Sequence, residues 1–159
     1  MEHNFQYQKI KGNIAETIIK GLFIDSGYNV FDYGMEKILP SILEKMKGLG
    51  DAIASEIRNM PDFVVQHAAT GRLDYVEVKY RKDGCFKLAK PEVFPYKNAW
   101  FIIVSKTDIQ CISYADLLVE KELTSQSNRT LENCANFDLK PEMVTKYRQY
   151  CKNFYKGVF

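Results

Sequence analysis

The chain has 159 residues, of which 46% are hydrophobic and 26% charged, and its formal net charge is +2. This composition predicts one compact domain over residues 1–159, with no extra core for a second domain. Neither an export signal nor an apolar run of about 18 residues is found, so we expect a cytoplasmic protein without a membrane partner. Any attraction to nucleic acid must come from how the charges are placed, because their sum is close to zero.

Helical and strand patterns alternate in the first part of the chain. Apolar residues at helical spacing predict a helix over 12–25, between the capping residue Asn13 and the stop at Gly27. Aromatic and β-branched residues predict a strand over 28–34. Residues 35–60 return to the helical period with a break at 48–51, which predicts a helical insert between two strands.

The rest of the chain begins with strands and ends with helices. Strands are predicted over 62–67, 73–81 and 98–105, with a further short one at 109–113. A helix over 115–122, a polar loop over 124–138 and a last helix from Pro141 follow. The apolar stripe of that last helix is predicted to comprise Met143, Tyr147, Tyr150, Cys151 and Phe154. Helices and strands in this order predict an α/β (α+β) fold around a mixed sheet.

The four cysteines give no sign of a metal site. Cys85, Cys111, Cys134 and Cys151 lie 17 to 26 residues apart, and the chain has only two histidines. Zinc sites need closer ligand pairs, and thiols in the cytosol usually stay reduced. We therefore expect reduced, structural thiols.

The chemistry of the sequence is concentrated in the hairpin over residues 60–83. Alternation along the second strand places Glu77 and Lys79 on one face. A two-residue turn at Thr70 and Gly71 would set Asp62 opposite Lys79, and a four-residue loop would set it opposite Glu77. Both registers gather the three charges on one face, whereas a slip of one residue would separate them.

Two neighbouring carboxylates raise each other's pKa unless a cation lies between them. With no histidine or cysteine nearby, the oxygen ligands favour a hard ion such as Mg²⁺ or Mn²⁺. Lys79 could then hold an attacking water or neutralise a phosphate. The alternative is a solvated strand face on which Glu77 and Lys79 form a weak surface ion pair.

A further carboxylate, Glu16, lies on the first predicted helix. It falls roughly 90° from the centre of the apolar stripe, at the border between core and solvent. From there it could reach the edge of a sheet packed against the helix. The alternative is an ordinary surface carboxylate in the first turn, where the helix dipole favours negative charge.

The segments "AE" on the first helix, "GYNVFDYG", "PDFVV" and "YVEVKYR" occur in that order. With them the chain resembles the PD-(D/E)xK nuclease superfamily over about residues 11–105, and within it the small archaeal Holliday-junction resolvases and restriction-endonuclease-like domains. The resemblance implies a restriction-endonuclease-like core, a four-stranded mixed sheet flanked by helices. The insert at about 35–60 departs from the compact resolvases.

The resemblance also implies a metal site and an activity. Asp62, Glu77 and the Val78 carbonyl would bind Mg²⁺ or Mn²⁺, and Lys79 would orient or deprotonate the attacking water. Glu16 would hold a second metal or a metal-bound water. The implied reaction is phosphodiester hydrolysis, leaving 5′-phosphate ends.

Basic residues follow the predicted site directly. Arg81, Lys82, Lys87 and Lys90 could grip phosphates beside the scissile one, or could belong to an ordinary solvated loop. DNA is the expected partner, and the resemblance implies a homodimer, although the sequence marks no interface. Two rival interpretations remain: a catalytically silent nucleic-acid-binding module with the same fold, and a structural or assembly protein whose charges are merely surface.

Overall fold

A computed structural model describes residues 2–34, 45 and 52–158. The helices in these ranges are α1 (Glu2–Asp25), α2 (Ala52–Arg58), α3 (Tyr114–Glu120) and α4 (Pro141–Phe154). The strands are β1 (Tyr28–Asp32), β2 (Phe63–His67), β3 (Leu73–Tyr80), β4 (Ala99–Val104) and β5 (Ile109–Ser113). Of the predicted insert at 35–60, α2 forms the later part, and most of the earlier part lies outside the described residues.

The described strands form one sheet in chain order, from β1 to β5. The β3–β4 pair is parallel and the other three pairs are antiparallel, so the predicted α+β class and mixed sheet are confirmed. The sheet has five strands where four were expected. Strand β4 is almost entirely buried and needs hydrogen-bond partners on both edges, and β5 supplies the outer one.

The two faces of the sheet carry different layers. Helices α1 and α4 cover one face, where Ile19 and Phe23 pack with Val76 and Val78. On the other face, Phe101 and Ile103 of β4 pack against α3 and against the connection between β3 and β4. Within the described residues, no helix has both the length and the apolar character needed to cross a membrane.

Helix α1 begins ten residues before the predicted start at residue 12. Its early part is polar, but Lys11 is only 5% exposed. The Lys11 ammonium lies 5.1 and 5.3 Å from the ring centroids of Tyr7 and Tyr80, and the Tyr155 hydroxyl donates to the Lys11 carbonyl at 2.8 Å. These cation–π and hydrogen-bond contacts link the early part of α1 to β3 and the end of α4.

The apolar stripe of α4 differs from the predicted one. Tyr147 and Cys151 are buried as expected, whereas Phe154 is 61% exposed. Val144 and Tyr155 complete the buried face instead, and the Tyr155 ring stacks on Tyr80 with centroids 4.3 Å apart. Spacings of three and four residues connect this set as well as the predicted one, so periodicity alone could not decide between them.

Candidate active site

The β2–β3 hairpin has the four-residue loop, one of the two registers left open by the sequence. Phe63 pairs with Val76, and the His67 amide donates to the Arg72 carbonyl at 2.9 Å across the loop over 68–71. Gly71 has φ +72°, a conformation that glycine adopts without strain. Extending this register by one pair sets Asp62 opposite Glu77.

Strands β2 and β3 part at this point. Strand β2 begins at Phe63, so from Glu77 onward β3 pairs, among the described residues, with β4 alone. The Asp62 carboxylate takes the place of the missing strand, because its Oδ2 accepts a hydrogen bond from the Val78 amide at 2.8 Å. The Tyr33 amide donates to the Asp62 carbonyl at 3.0 Å. Asp62 is 6% exposed and is fixed through both its backbone and its side chain.

The same edge presents a backbone oxygen. The amide and carbonyl of one strand residue point to the same side, and the Val78 amide points toward Asp62. The Arg81 amide, an odd number of residues away, donates to Val104 of β4 on the other side. The Val78 carbonyl is therefore directed to the edge where Asp62 lies.

Glu77 and Lys79 form a close ion pair on the face opposite α1. Their charged atoms, Glu77 Oε1 and Lys79 Nζ, are 2.6 Å apart, and the side chains are 13% and 38% exposed. Burial raises the pKa of Glu77, while Lys79 opposes the rise and the negative charge of Glu16 adds to it. The second oxygen, Glu77 Oε2, is buried and has no hydrogen-bond partner among the residues that the structure describes. This carboxylate differs from the well-solvated one that a surface ion pair would contain.

The charge state of Lys79 follows from its neighbours. Burial by itself lowers the pKa of Lys79, but the carboxylates of Glu77 and Asp62 outweigh that effect and hold the pKa above its ordinary value. Lys79 is thus an ammonium group at neutral pH. Of the two roles expected for it, orienting water suits this charge state and deprotonating water does not.

Glu16 lies at the sheet edge, half-buried on α1. It lines a cavity of about 270 Å³, together with residues of α1 and the strands β1 and β2, among them Asp32 and Phe63. Helix α1 packs on the face opposite Glu77, so Glu16 acts across the edge and raises the pKa of Glu77 through its charge. Its predicted position at the border between core and solvent is confirmed.

Replacing Glu16 with glutamine should lower the pKa of Glu77, because one of the negative charges that raise it is removed. Carboxyl ¹³C titration by NMR would follow Glu77 directly. The control is Glu142→Gln in the first turn of α4, where Glu142 is exposed. An unchanged pKa of Glu77 in the Glu16 variant would show that Glu16 does not interact electrostatically with the site.

The residues around Asp62 offer oxygen atoms of the kind that hard divalent cations bind. Within residues 2–34, 45 and 52–158, no three histidine, cysteine or acidic side chains come together as a metal-binding group. The candidate oxygen donors are the Asp62 carboxylate, Glu77 Oε2 and the Val78 carbonyl. Magnesium commonly binds through one or two carboxylates and keeps several waters, so oxygen donors of this kind match its chemistry.

Three tyrosines missed by the sequence analysis border the site. Tyr75 shares the Glu77 face of β3, and its ring lies 5.2 Å from that of Tyr33 and 5.4 Å from that of Tyr96. Alternation along β3 could have identified Tyr75. Tyr33 and Tyr96 come from distant segments and carry no local signal. Together the three rings form a wall beside the acidic residues.

The predicted nucleic-acid-binding residues are all exposed. Their segment is fixed by Phe86, whose backbone pairs with Leu123 through two hydrogen bonds of 2.8 Å. The Arg81 guanidinium lies 5.6 Å from the Phe86 ring centroid and donates to the Tyr80 carbonyl. The other three, Lys82, Lys87 and Lys90, follow within this anchored segment.

The structure thus brings Asp62, Glu77 and Lys79 together where β2 leaves β3, and it keeps Glu16 within electrostatic range. The exposed basic segment begins directly after β3. No protein-family model and no curated protein matches this chain.

Proposed function

We propose that the chain is a divalent-metal-dependent nuclease of the PD-(D/E)xK type, a DNA endonuclease of resolvase or restriction-like type. The observation that carries this proposal is the position of Asp62 opposite Glu77 at the point where two strands part, with Lys79 beside them. Burying two carboxylates and placing an ammonium beside them costs folding free energy, and a bound ligand such as a metal ion would offset that cost. The restriction-endonuclease-like core belongs to the same proposal.

In this mechanism Asp62, Glu77 Oε2 and the Val78 carbonyl would hold Mg²⁺ or Mn²⁺, which would supply Lewis acidity to the scissile phosphate. The Lys79 ammonium orients the attacking water and stabilises negative charge that develops on the phosphate. Burial of the carboxylates strengthens these electrostatic effects. Glu16, across the sheet edge, would hold a second ion or a water molecule. Hydrolysis leaves a 5′-phosphate.

A cleavage panel tests the activity. The wild-type protein is incubated with supercoiled, single-stranded and branched DNA and with RNA, each with Mg²⁺, with Mn²⁺ and with EDTA. We expect cleavage of at least one DNA with either metal and none with EDTA. The products should carry 5′-phosphates, detected by ligation or by mass. Cleavage that persists in EDTA would contradict the proposed role of the metal.

The rival that an observation favours is the catalytically silent binding module. Lys79 pairs so closely with Glu77 that its ammonium already compensates this carboxylate, and the negative charge of Asp62 also acts on Lys79. A module that has lost its metal would keep such a pair for structural reasons. Binding to DNA without cutting in every arm of the panel, together with calorimetry that detects no Mg²⁺ or Mn²⁺ binding, would favour the module over the nuclease.

The basic segment should supply phosphate contacts in either case. We expect the triple variant Lys82→Ala, Lys87→Ala, Lys90→Ala to bind DNA more weakly, because each lysine that contacts a phosphate releases counterions on binding. The slope of log K against log salt should become less steep by about 1 per contact removed. Fluorescence anisotropy at several salt concentrations measures both quantities.

The matched control for this variant lies on the opposite face of the sheet. Lys152 and Lys156, at the end of α4, are also exposed. Lys152→Ala with Lys156→Ala should leave the salt slope near that of the wild type. Equal losses in the two variants would mean that the basic segment is no preferred phosphate-binding surface.

A further inference from the structure

A cavity adjoins the tyrosine wall, which Tyr33, Tyr75 and Tyr96 form beside the candidate active site. It has a volume of about 640 Å³ and lies between α2 and the connection from β3 to β4. Its lining combines apolar and polar side chains, among them Leu88, Val93, Phe94, Arg58, Asn59 and Lys90. Ligand pockets in proteins commonly have volumes of roughly 300–1,000 Å³ and a similar mixture of apolar walls with a few polar groups.

The cavity and the tyrosine wall form one continuous surface. Phe94 lines the cavity, and its ring centroid lies 6.2 Å from that of Tyr96. The Tyr96 ring in turn lies 5.4 Å from the ring of Tyr75, which shares a face of β3 with Glu77. All three tyrosines of the wall are partly exposed. A path of aromatic rings therefore leads from the proposed catalytic residues to the cavity.

Hydrogen bonds and packing hold both sides of the cavity in place. The Tyr96 hydroxyl donates to the Glu56 carbonyl of α2 at 3.0 Å, which attaches the connection to that helix. The Tyr114 hydroxyl donates to the Pro91 carbonyl at 2.6 Å, and Phe94 is buried against the sheet. The cavity is therefore formed before a ligand arrives, and binding needs little ordering of the protein.

The charges around the cavity favour an anionic ligand. Arg58 and Lys90 line it and are exposed, and no carboxylate belongs to the part of the lining that the structure describes. Glu56 and Glu92 are close in sequence but are not part of the lining. A nucleic-acid strand offers phosphates to the basic side chains and base faces to the aromatic rings. Bases inside a duplex are covered by their neighbours, so only unpaired bases can reach such rings.

We propose that the tyrosine wall and the adjoining cavity bind an unpaired strand of DNA. One unpaired base stacks on the wall next to Glu77, and the following nucleotide enters the cavity with its phosphate at Arg58 and Lys90. The DNA recognised by this protein then contains a single-stranded segment beside the position of cleavage, as in a tailed or branched molecule. This inference rests on the proposed function for its partner, DNA, and specifies the form of that DNA.

The test measures the binding of three DNAs by fluorescence anisotropy in EDTA, where metal-dependent cleavage does not occur. They are a blunt duplex, the same duplex with an unpaired tail of about six nucleotides at either end, and the tailed duplex with abasic sites in the tail. The two tailed DNAs have equal numbers of phosphates, so their comparison isolates the bases. We expect the normal tail to bind about 5- to 150-fold more tightly than the abasic one, the range for stacking one base on an aromatic side chain. Equal affinities of the two tailed DNAs, or of tailed and blunt DNA, would overturn the proposal.

Two pairs of variants assign the preference to the cavity and to the wall. Val93→Glu adds a negative charge at the cavity and should reduce the preference for the normal tail, and the fold should persist because Val93 is 61% exposed. The matched control is Val119→Glu on α3, where Val119 is 80% exposed. Tyr75→Leu should lose more of the preference than Tyr75→Phe, which keeps the ring. Thermal unfolding checks the fold of each variant. Equal preferences within either pair would overturn the assignment of that element.

The outcome can be distinguished from that of the nuclease proposal, because binding is measured without cleavage. A protein that prefers the normal tail in EDTA and cleaves no DNA with Mg²⁺ or Mn²⁺ would support this inference and contradict the nuclease. A protein that cleaves blunt duplex with metal and shows no preference for the tail would overturn this inference alone.

Discussion

Asp62→Asn is expected to reduce metal-dependent cleavage by about a hundredfold or more while the protein stays folded. Asparagine keeps an oxygen that can accept the Val78 amide hydrogen bond, so the free energy of unfolding should fall by only about 1 kcal/mol. It removes one of the two negative charges that attract a divalent cation, and the Lewis acidity at stake is worth several kcal/mol.

Cleavage rates, calorimetric Mn²⁺ affinity and thermal unfolding of Asp62→Asn should be measured on one preparation. The control is Asp74→Asn, at the other end of β3, where the carboxylate pairs with Arg72 at 3.3 Å. We expect that variant to cleave and to bind metal like the wild type. A folded Asp62→Asn protein with full cleavage activity would remove Asp62 from the site.

Lys79→Met is expected to reduce turnover by about 10²- to 10³-fold, the range for losing one positioned donor that stabilises developing negative charge. The change keeps the length of the side chain and removes the ammonium, so metal binding should persist. It also leaves the Glu77 carboxylate, 13% exposed, without its partner 2.6 Å away. Breaking a fully buried pair costs about 3–5 kcal/mol, and since Lys79 is 38% exposed we expect about 1–3 kcal/mol of lost stability.

This loss of stability should depend on pH in one direction. Burial raises the folded-state pKa of Glu77 above its unfolded value, so ionised Glu77 weakens the fold and protonated Glu77 does not. The difference between variant and wild type should therefore be small near pH 4 and should grow as the pH rises through the raised pKa. In the wild type, the raised pKa of Lys79 keeps its stabilising charge until strongly alkaline pH.

Urea unfolding of the wild type, both single variants and the double variant at several pH values would measure this coupling. Adding Glu77→Gln to Lys79→Met should recover most of the lost stability, because no uncompensated charge remains. Additive effects of the two changes would contradict a direct interaction. A Lys79→Met protein that cleaves at the wild-type rate would refute the proposed role of Lys79.

The sequence predicted most of the fold because the strands are short, apolar and separated by clear turn signals. The prediction was wrong where contacts between residues distant in sequence determine the bounds of an element, as at the start of α1. There the ring of Tyr80 and the hydroxyl of Tyr155 hold a polar segment that shows no helical stripe. The exposure of Phe154 has the same origin, since packing against the sheet selected Val144 and Tyr155.

The part of the site that lies on one strand could be predicted from the alternation of side chains along that strand. Glu77 and Lys79 share a face in any register, so their proximity needed no structure. The partner of Asp62 depended on a loop length that the sequence left open between two alternatives. The neighbours Tyr33 and Tyr96 could not be identified, because only the folded chain brings them to Tyr75.

Because β2 begins only at Phe63, part of the edge of β3 is left without a neighbouring strand, and this affects association between molecules. A strand whose edge is open in mid-sheet is a template for strand addition by a second chain, the usual start of aggregation. Here the Asp62 side chain accepts the hydrogen bond of the Val78 amide, so this amide cannot pair with another strand. The charged side chain of Lys79 lies on the same part of β3. Residues proposed for chemistry thus also discourage self-association. Variants that remove both charges should lose solubility at high concentration even when they fold correctly.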